Sequence, residues 1–160
     1  MIENEQCNFT QAMDVYGDMV TRIALLRMKN QADAKDVFQN VFLRLYERPI
    51  EFLEQEHLRA WLIKVTIRFC INESRRFWHK HRTDYEDAFY AVEESHDYEL
   101  LCYLAKLPGN IKQTLYLHYY EGYTFKEIAD ILNTKENTVK SWARRGRLEL
   151  RELLGGEDDE

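Results

Sequence analysis

Proline and glycine are nearly missing, at two and six residues in 160. So few chain-breakers argue against a turn-rich β protein and leave helices as the natural fold. Cysteine is almost as sparse. Cys7, Cys70 and Cys102 stand far apart, make no CxxC pair and cannot build an even-numbered disulfide framework, which fits a reducing compartment. No apolar run approaches the ~20 residues of a membrane span. The opening MIENEQCN lacks the basic and apolar segments of a signal peptide. A cytoplasmic chain without membrane insertion is the expectation. No nucleophile elbow, phosphate loop or paired-carboxylate motif is found either, so no catalytic residue, cofactor or small-molecule substrate is expected.

Apolar residues at helical spacing are plentiful. Phe9, Ala12, Met13, Tyr16, Met19, Val20, Ile23 and Leu26 predict a helix over Asn8 to Lys29. Val37, Phe38, Val41, Phe42 and Leu45 predict a second over Asp33 to Tyr46, with Asp33 or Asp36 suited to its positive N-terminal end. Pro49 interrupts the pattern, and Arg48 to Glu56 read as a loop. Ala60, Trp61, Ile63, Val65, Ile67, Phe69 and Ile71 predict a third helix over His57 to His79. Their β-branched members make a strand over Leu62 to Ile71 the runner-up.

The charge then changes abruptly. Residues 75–82, RRFWHKHR, carry four Lys/Arg and no acid, whereas residues 83–99 carry seven acids and no Lys or Arg. Such a block reads as a solvated linker between domains. Beyond it, Leu100 to Leu107 and Ile111 to Tyr120 read as helices stopped by Pro108-Gly109 and Gly122. Thr124 and Glu127 have capping-box spacing at the start of a helix whose apolar face is Phe125, Ile128, Ala129, Ile131 and Leu132. Asn133-Thr134-Lys135 form a short turn. A last helix runs from Glu136 to about Leu154, ended by Gly155-Gly156.

Two helices joined by so short a turn have the helix-turn-helix signature. On the second, Val139, Ala143, Gly146, Leu150 and Leu153 share one stripe. The opposite stripe holds Asn137, Ser141, Arg144 and Leu148, with Arg145 beside it and Thr138, Lys140 and Arg147 flanking. Amide, hydroxyl and guanidinium groups suit major-groove base edges and phosphates. From Lys135 to Arg151, six Lys/Arg face two Glu, a local net +4 on a chain of net −6. A generic solvated basic helix gives the same pattern. The small Ala129 in EIADILN, where the two helices must approach closely, favours the DNA-reading version.

LPGNIKQTLYLHYYEGYTFKEIADILNTKENTVKSWARRGRLELRELL resembles region 4, the C-terminal promoter-reading domain of sigma-70 family factors. DAKDVFQNVFLRLYERP and LRAWLIKVTIRFCINESRR resemble region 2 of the same family. The order, and the acidic linker in place of a middle domain, are similar to the extracytoplasmic-function (ECF) group. The resemblance implies an all-α fold of two small helical domains: region 2 over 1–82, an acidic linker over 83–98, region 4 over 99–154 and a disordered tail over 155–160. It also implies a sigma factor that binds core RNA polymerase and directs it to promoter DNA, under control of an anti-sigma factor. Asp36, Gln39, Asn40 and Arg44 would meet the polymerase clamp helices. Arg59, Lys64, Arg68, Asn72, Arg75 and Arg76 would hold the melted −10 element, with Trp61 and Phe69 given to the core. The −35 element would fall to Asn137, Thr138, Lys140, Ser141, Arg144, Arg145 and Arg147, where Asn137, Ser141, Arg144 and Arg145 read bases and the others meet phosphates. The chain departs from the family pattern at Ile67-Arg68, Asn40, Trp142 and Gly146.

A stand-alone helix-turn-helix regulator is the alternative, and it would need a dimer face or ligand pocket in the first half. His79 and His81 near Cys70 are the best metal candidates. However, residues two apart lie on different faces of a helix and the neighbours are basic, so no metal site is expected.

Overall fold

The computed structural model describes the backbone of residues 2–28, 30–47, 55–77 and 98–155, and the side chains of 9–28, 30–47, 55–73 and 99–155. All regular structure among the described residues is helical. The chain divides into two compact units, Met1–Ala91 and Val92–Glu160.

The first unit packs three helices, α1 (Ile2–Met28), α2 (Gln31–Glu47) and α3 (Gln55–Phe77). Each turns one apolar stripe inward. Met19, Val20, Ile23 and Leu26 of α1 meet a core shared with Val37, Val41, Phe42 and Leu45 of α2 and with Leu58, Leu62, Ile63 and Cys70 of α3, all buried. Phe9 packs edge-on against both Phe42 and Tyr46 at the far end of the α1–α2 seam. Asn30 caps α2: its Oδ1 accepts from the Asp33 amide at 2.8 Å, and its Nδ2 donates to the Asp33 carboxylate at 2.7 Å. The cap is therefore Asn30, with Asp33 as its partner inside the first turn.

Several expectations shift here. α1 starts at Ile2 rather than Asn8. Gln55 and Glu56 are the first turn of α3 rather than loop. The strand runner-up for Leu62 to Ile71 gives way to helix. Thr66, at the centre of that stretch, is buried and satisfies its hydroxyl on the Leu62 carbonyl at 2.6 Å, as β-branched threonine does inside helices. Trp61 and Phe69, assigned to the core, are only half-buried, and Ile71 is exposed. The remainder of the Arg48 to Glu56 loop, the acidic linker over 83–98 apart from Tyr98, and the tail beyond Gly155 lie outside the described residues. So do His79, His81 and the side chains of Cys7, Arg75 and Arg76.

The second unit contains α4 (Tyr98–Ala105), α5 (Gly109–Leu115), α6 (Phe125–Ile131) and α7 (Glu136–Leu153). The sequence predicts one helix from Ile111 to Tyr120. The structure instead begins α5 directly after Pro108, which occupies the N-cap, and turns Tyr116–Tyr120 into a π-helical segment. The Glu121 amide reaches back to the Tyr116 carbonyl at 3.2 Å, and Gly122 then reverses the chain at φ 81°. Buried Tyr116 donates its hydroxyl to Glu121 at 2.6 Å. Lys112 is buried as well, with its ammonium donating to the last carbonyl of α4, Ala105, at 3.4 Å. Such a contact satisfies an orphan helix-end acceptor.

The helix-turn-helix pair is built by local chemistry. Thr124 and Glu127 form a reciprocal capping box at 3.0 and 3.1 Å. α6 ends one residue early, at Ile131, with Leu132 as its cap. The turn passes through Asn133 at φ 52°, and the Thr134 amide closes on the Ala129 carbonyl at 2.9 Å. Asparagine tolerates this left-handed conformation better than other non-glycine residues. α7 then packs Val139, Ala143 and Gly146 against α5 and α6. A Cβ on Gly146 would lie 2.7 Å from Leu115 Cδ1 and 2.8 Å from Ile111 Cγ2, so glycine here permits the close α5–α7 crossing. The inward stripe is shorter than the sequence predicts. Leu150 is half-buried, and Leu153 is 41% exposed. α7 has 18 residues against seven in each of α5 and α6, and its stripe is fully buried only from Val139 to Gly146.

Candidate nucleic-acid interface

Burial on one side of α7 dictates what the other side presents. With Val139, Ala143 and Gly146 inward, Asn137, Ser141, Arg144 and Leu148 emerge opposite them, all exposed. Arg145, Arg147 and Lys140 are exposed on the flanks, while Thr138 is half-buried. The seven residues expected to read the −35 element therefore lie on the outward half of one helix, with Thr138 at its margin.

The cations on that helix are restrained differently. Lys140 lies 3.7 Å from Glu136, one turn back. Arg145 donates through Nε to Glu149 Oε1 at 3.0 Å, one turn ahead. Arg147 donates through Nη1 to the Tyr119 hydroxyl at 3.1 Å. Tyr119 stands on the π-helical segment and is 58% exposed. Arg144 points outward between these two arginines. Neither Tyr119 nor Glu149 is among the residues singled out from the sequence. Tyr119 is 28 positions from its partner, so no local spacing signals it. Glu149 could have been found from its four-residue offset to Arg145.

The same platform orders its surroundings. The His118 ring stacks on Phe125 at 4.2 Å and places Nδ1 2.7 Å from the Tyr123 carbonyl, tying the π-helical segment to the first turn of α6. A carbonyl only accepts, so this geometry requires the Nδ1–H tautomer or the imidazolium.

In the first unit the candidate residues divide. On α3, Lys64, Arg68 and Asn72 are exposed and spaced four apart, so they form one stripe. Half-buried Trp61 lies one turn before Lys64 on the same face. Arg59 falls on another side of the helix, half-buried and 3.5 Å from Glu56. On α2, Asp36, Gln39 and Arg44 are exposed and Asn40 is half-buried, all on the side away from the core. That side also shows Leu43 and Tyr46, 52% and 58% exposed, which the sequence reading leaves out. Among the described residues no cluster of three or more metal-ligating side chains forms, and no helix is long and apolar enough to cross a membrane. Cys70 is buried and Cys102 half-buried, and neither forms a disulfide.

Comparison with known proteins matches both units. The family model for Sigma-70 region 2 covers residues 13–80, and that for Sigma-70 region 4 covers 97–150. The ECF RNA polymerase sigma factor SigW of Bacillus subtilis is 25% identical, over 95% of this chain and 91% of its own length. SigM of the same organism, also an ECF RNA polymerase sigma factor, is 29% identical over 91% of this chain and 95% of its own. Among solved structures, the sigma factor RpoE of Bartonella quintana, in complex with the anti-sigma factor NepR, has TM-score 0.71 at 17% identity and covers 96% of this chain and 99% of that one. CnrH in complex with the cytosolic domain of CnrY has TM-score 0.67 at 20% identity, covering 96% and 91%. With regions 2 and 4 present in order in a single chain, the protein belongs to the ECF group of the sigma-70 family.

Proposed function

We propose that this chain is a promoter-specificity subunit that binds core RNA polymerase and directs transcription initiation. The observation that carries the reading is the pairing, in one chain, of a sigma-70 region 2 with a region 4 whose basic helix turns its polar side outward.

Each surface has chemistry suited to its part. The outward side of α2 offers Asp36, Gln39, Asn40 and Arg44 to the clamp helices. Exposed Leu43 and Tyr46 add the apolar area that a protein partner, unlike DNA, would bury. On α3, Lys64, Arg68 and Asn72 track the backbone of the melted −10 strand, assisted by Arg59, Arg75 and Arg76. α7 reads the −35 element. The chain performs no catalysis itself and acts in the cytoplasm with the polymerase. An anti-sigma protein holds it inactive, by analogy with the similar sigma factor RpoE, solved in complex with the anti-sigma factor NepR.

Run-off transcription with core polymerase over a genomic promoter pool tests this. Transcripts from a small promoter set that depend on both components are expected. Tight, sequence-specific DNA retardation by the free chain, unchanged by core polymerase, would instead point to a stand-alone regulator.

A further inference from the structure

Glu149 is an acid on the DNA-reading helix of a protein whose partner is a polyanion. A carboxylate there repels phosphates, so its presence calls for a compensating role. Helix stability supplies little of one. The Glu136–Lys140 pair has the favourable order, acid before base, whereas Arg145–Glu149 has the reverse and places an acid toward the negative C-terminal end of α7.

The hydrogen bond itself suggests the role. Glu149 takes only Nε of Arg145, at 3.0 Å, and the two Nη groups have no partner among the described residues. A guanidinium held at Nε presents both terminal nitrogens as a fork, the geometry that matches guanine O6 and N7. Arg147 is tethered the other way, because Tyr119 takes a hydrogen from one of its Nη groups, at the forked end itself. The two tethers therefore sort neighbouring arginines into different tasks. Glu149 is 32% exposed and its partner 69%, so the anchor is the more sheltered member and the fork the more accessible one.

We propose that Glu149 is a positioning residue that aims Arg145 at a guanine in the −35 element and thereby sets the specificity of that position. Arg147, whose forked end is already engaged by Tyr119, contacts a phosphate. The proposal rests on the reading of α7 as the −35-recognition helix.

The test transcribes a promoter library, randomised through the −35 element, with holoenzyme reconstituted from core polymerase and each variant. Arg145→Ala should lose the preference for guanine at one position or two adjacent ones, a discrimination of about tenfold or more. Glu149→Ala should lose most of the same preference at the same position. Glu149→Gln should restore part of it, because the amide oxygen still accepts from Nε–H. The double variant Arg145→Ala/Glu149→Ala should match Arg145→Ala alone. If Arg145→Ala reshapes the profile but Glu149→Ala only raises transcription from every promoter equally, the carboxylate merely repels DNA and the proposal falls while Arg145 keeps its base-reading role. If Arg145→Ala leaves the profile unchanged, both fall.

Discussion

At the scale of single residues, Gly146 decides how closely two helices meet. Replacing it with alanine improves helix propensity by about 1 kcal/mol. The new methyl, however, would sit 2.7 Å from Leu115 Cδ1 and 2.8 Å from Ile111 Cγ2, and overpacking of this kind costs about 1–3 kcal/mol. The Ile111 methyl is a β-branch with little room to turn aside, so packing wins. Gly146→Ala should lower stability by about 1 kcal/mol in urea unfolding. Its combination with Leu115→Ala should cost less than the sum, because the added methyl enters the space vacated. Tyr16 is a residue whose ionisation bears on folding. Its hydroxyl donates to the Gln55 side chain at 3.1 Å, joining α1 to the start of α3. Burial raises its pKa above the ordinary tyrosine value, and the Glu56 carboxylate pushes the same way. A raised folded pKa gives stabilisation that is complete below the unfolded value, about 10, and is lost as pH rises through the folded pKa. Tyr16→Phe should therefore flatten the alkaline limb of the stability curve while altering neutral-pH stability little, which denaturation at stepped pH will read.

At the scale of elements, α2 and α7 each turn one face to the core and one to a partner. On α2, Asp36→Lys with Arg44→Glu reverses two exposed charges without touching the buried Val37, Val41 and Leu45. Pull-down on core polymerase should show weakened binding with the helical circular dichroism intact. Unchanged binding would move the docking surface elsewhere. On α7, Arg144→Ala should cost about 1–3 kcal/mol at matched −35 sequences and relax preference there. Lys140→Ala should weaken all sequences alike and flatten the salt dependence. A promoter-variant panel transcribed with both separates the roles. Much of this was legible in the sequence: the α2 stripe and the outward set Asn137, Ser141, Arg144 and Leu148 follow from burial repeating at helical spacing, and the Thr124 capping box from the three-residue offset to Glu127. The π-helical segment was not legible. Its hydrogen bonds shift by one residue under tertiary packing, and no propensity of Tyr116–Tyr120 signals that. The end of the α7 stripe was not legible either: Leu153 keeps the period but is left 41% exposed. The Arg147–Tyr119 bond joins residues that only the fold brings together.

At the scale of the whole molecule, a chain of net −6 carries one helix segment of local net +4. Each phosphate neutralised adds salt-dependent affinity, and α7 offers only a few such contacts. The free chain should therefore bind promoter DNA weakly, with binding that fades as salt rises. Holoenzyme should bind tightly and retain sequence preference at the same salt. Fluorescence anisotropy on one labelled promoter, with and without core polymerase, makes the comparison, and tight binding by the free chain would overturn it. The tethers along α7 bear on the same encounter through rotamer entropy. An arginine that is mobile before binding surrenders up to about 2 kcal/mol of side-chain freedom when DNA immobilises it. Arg145 and Arg147 are already held by Glu149 and Tyr119, so much of that ordering precedes contact. Arg144 must be ordered by the DNA, and the entropic cost of recognition falls mainly on it.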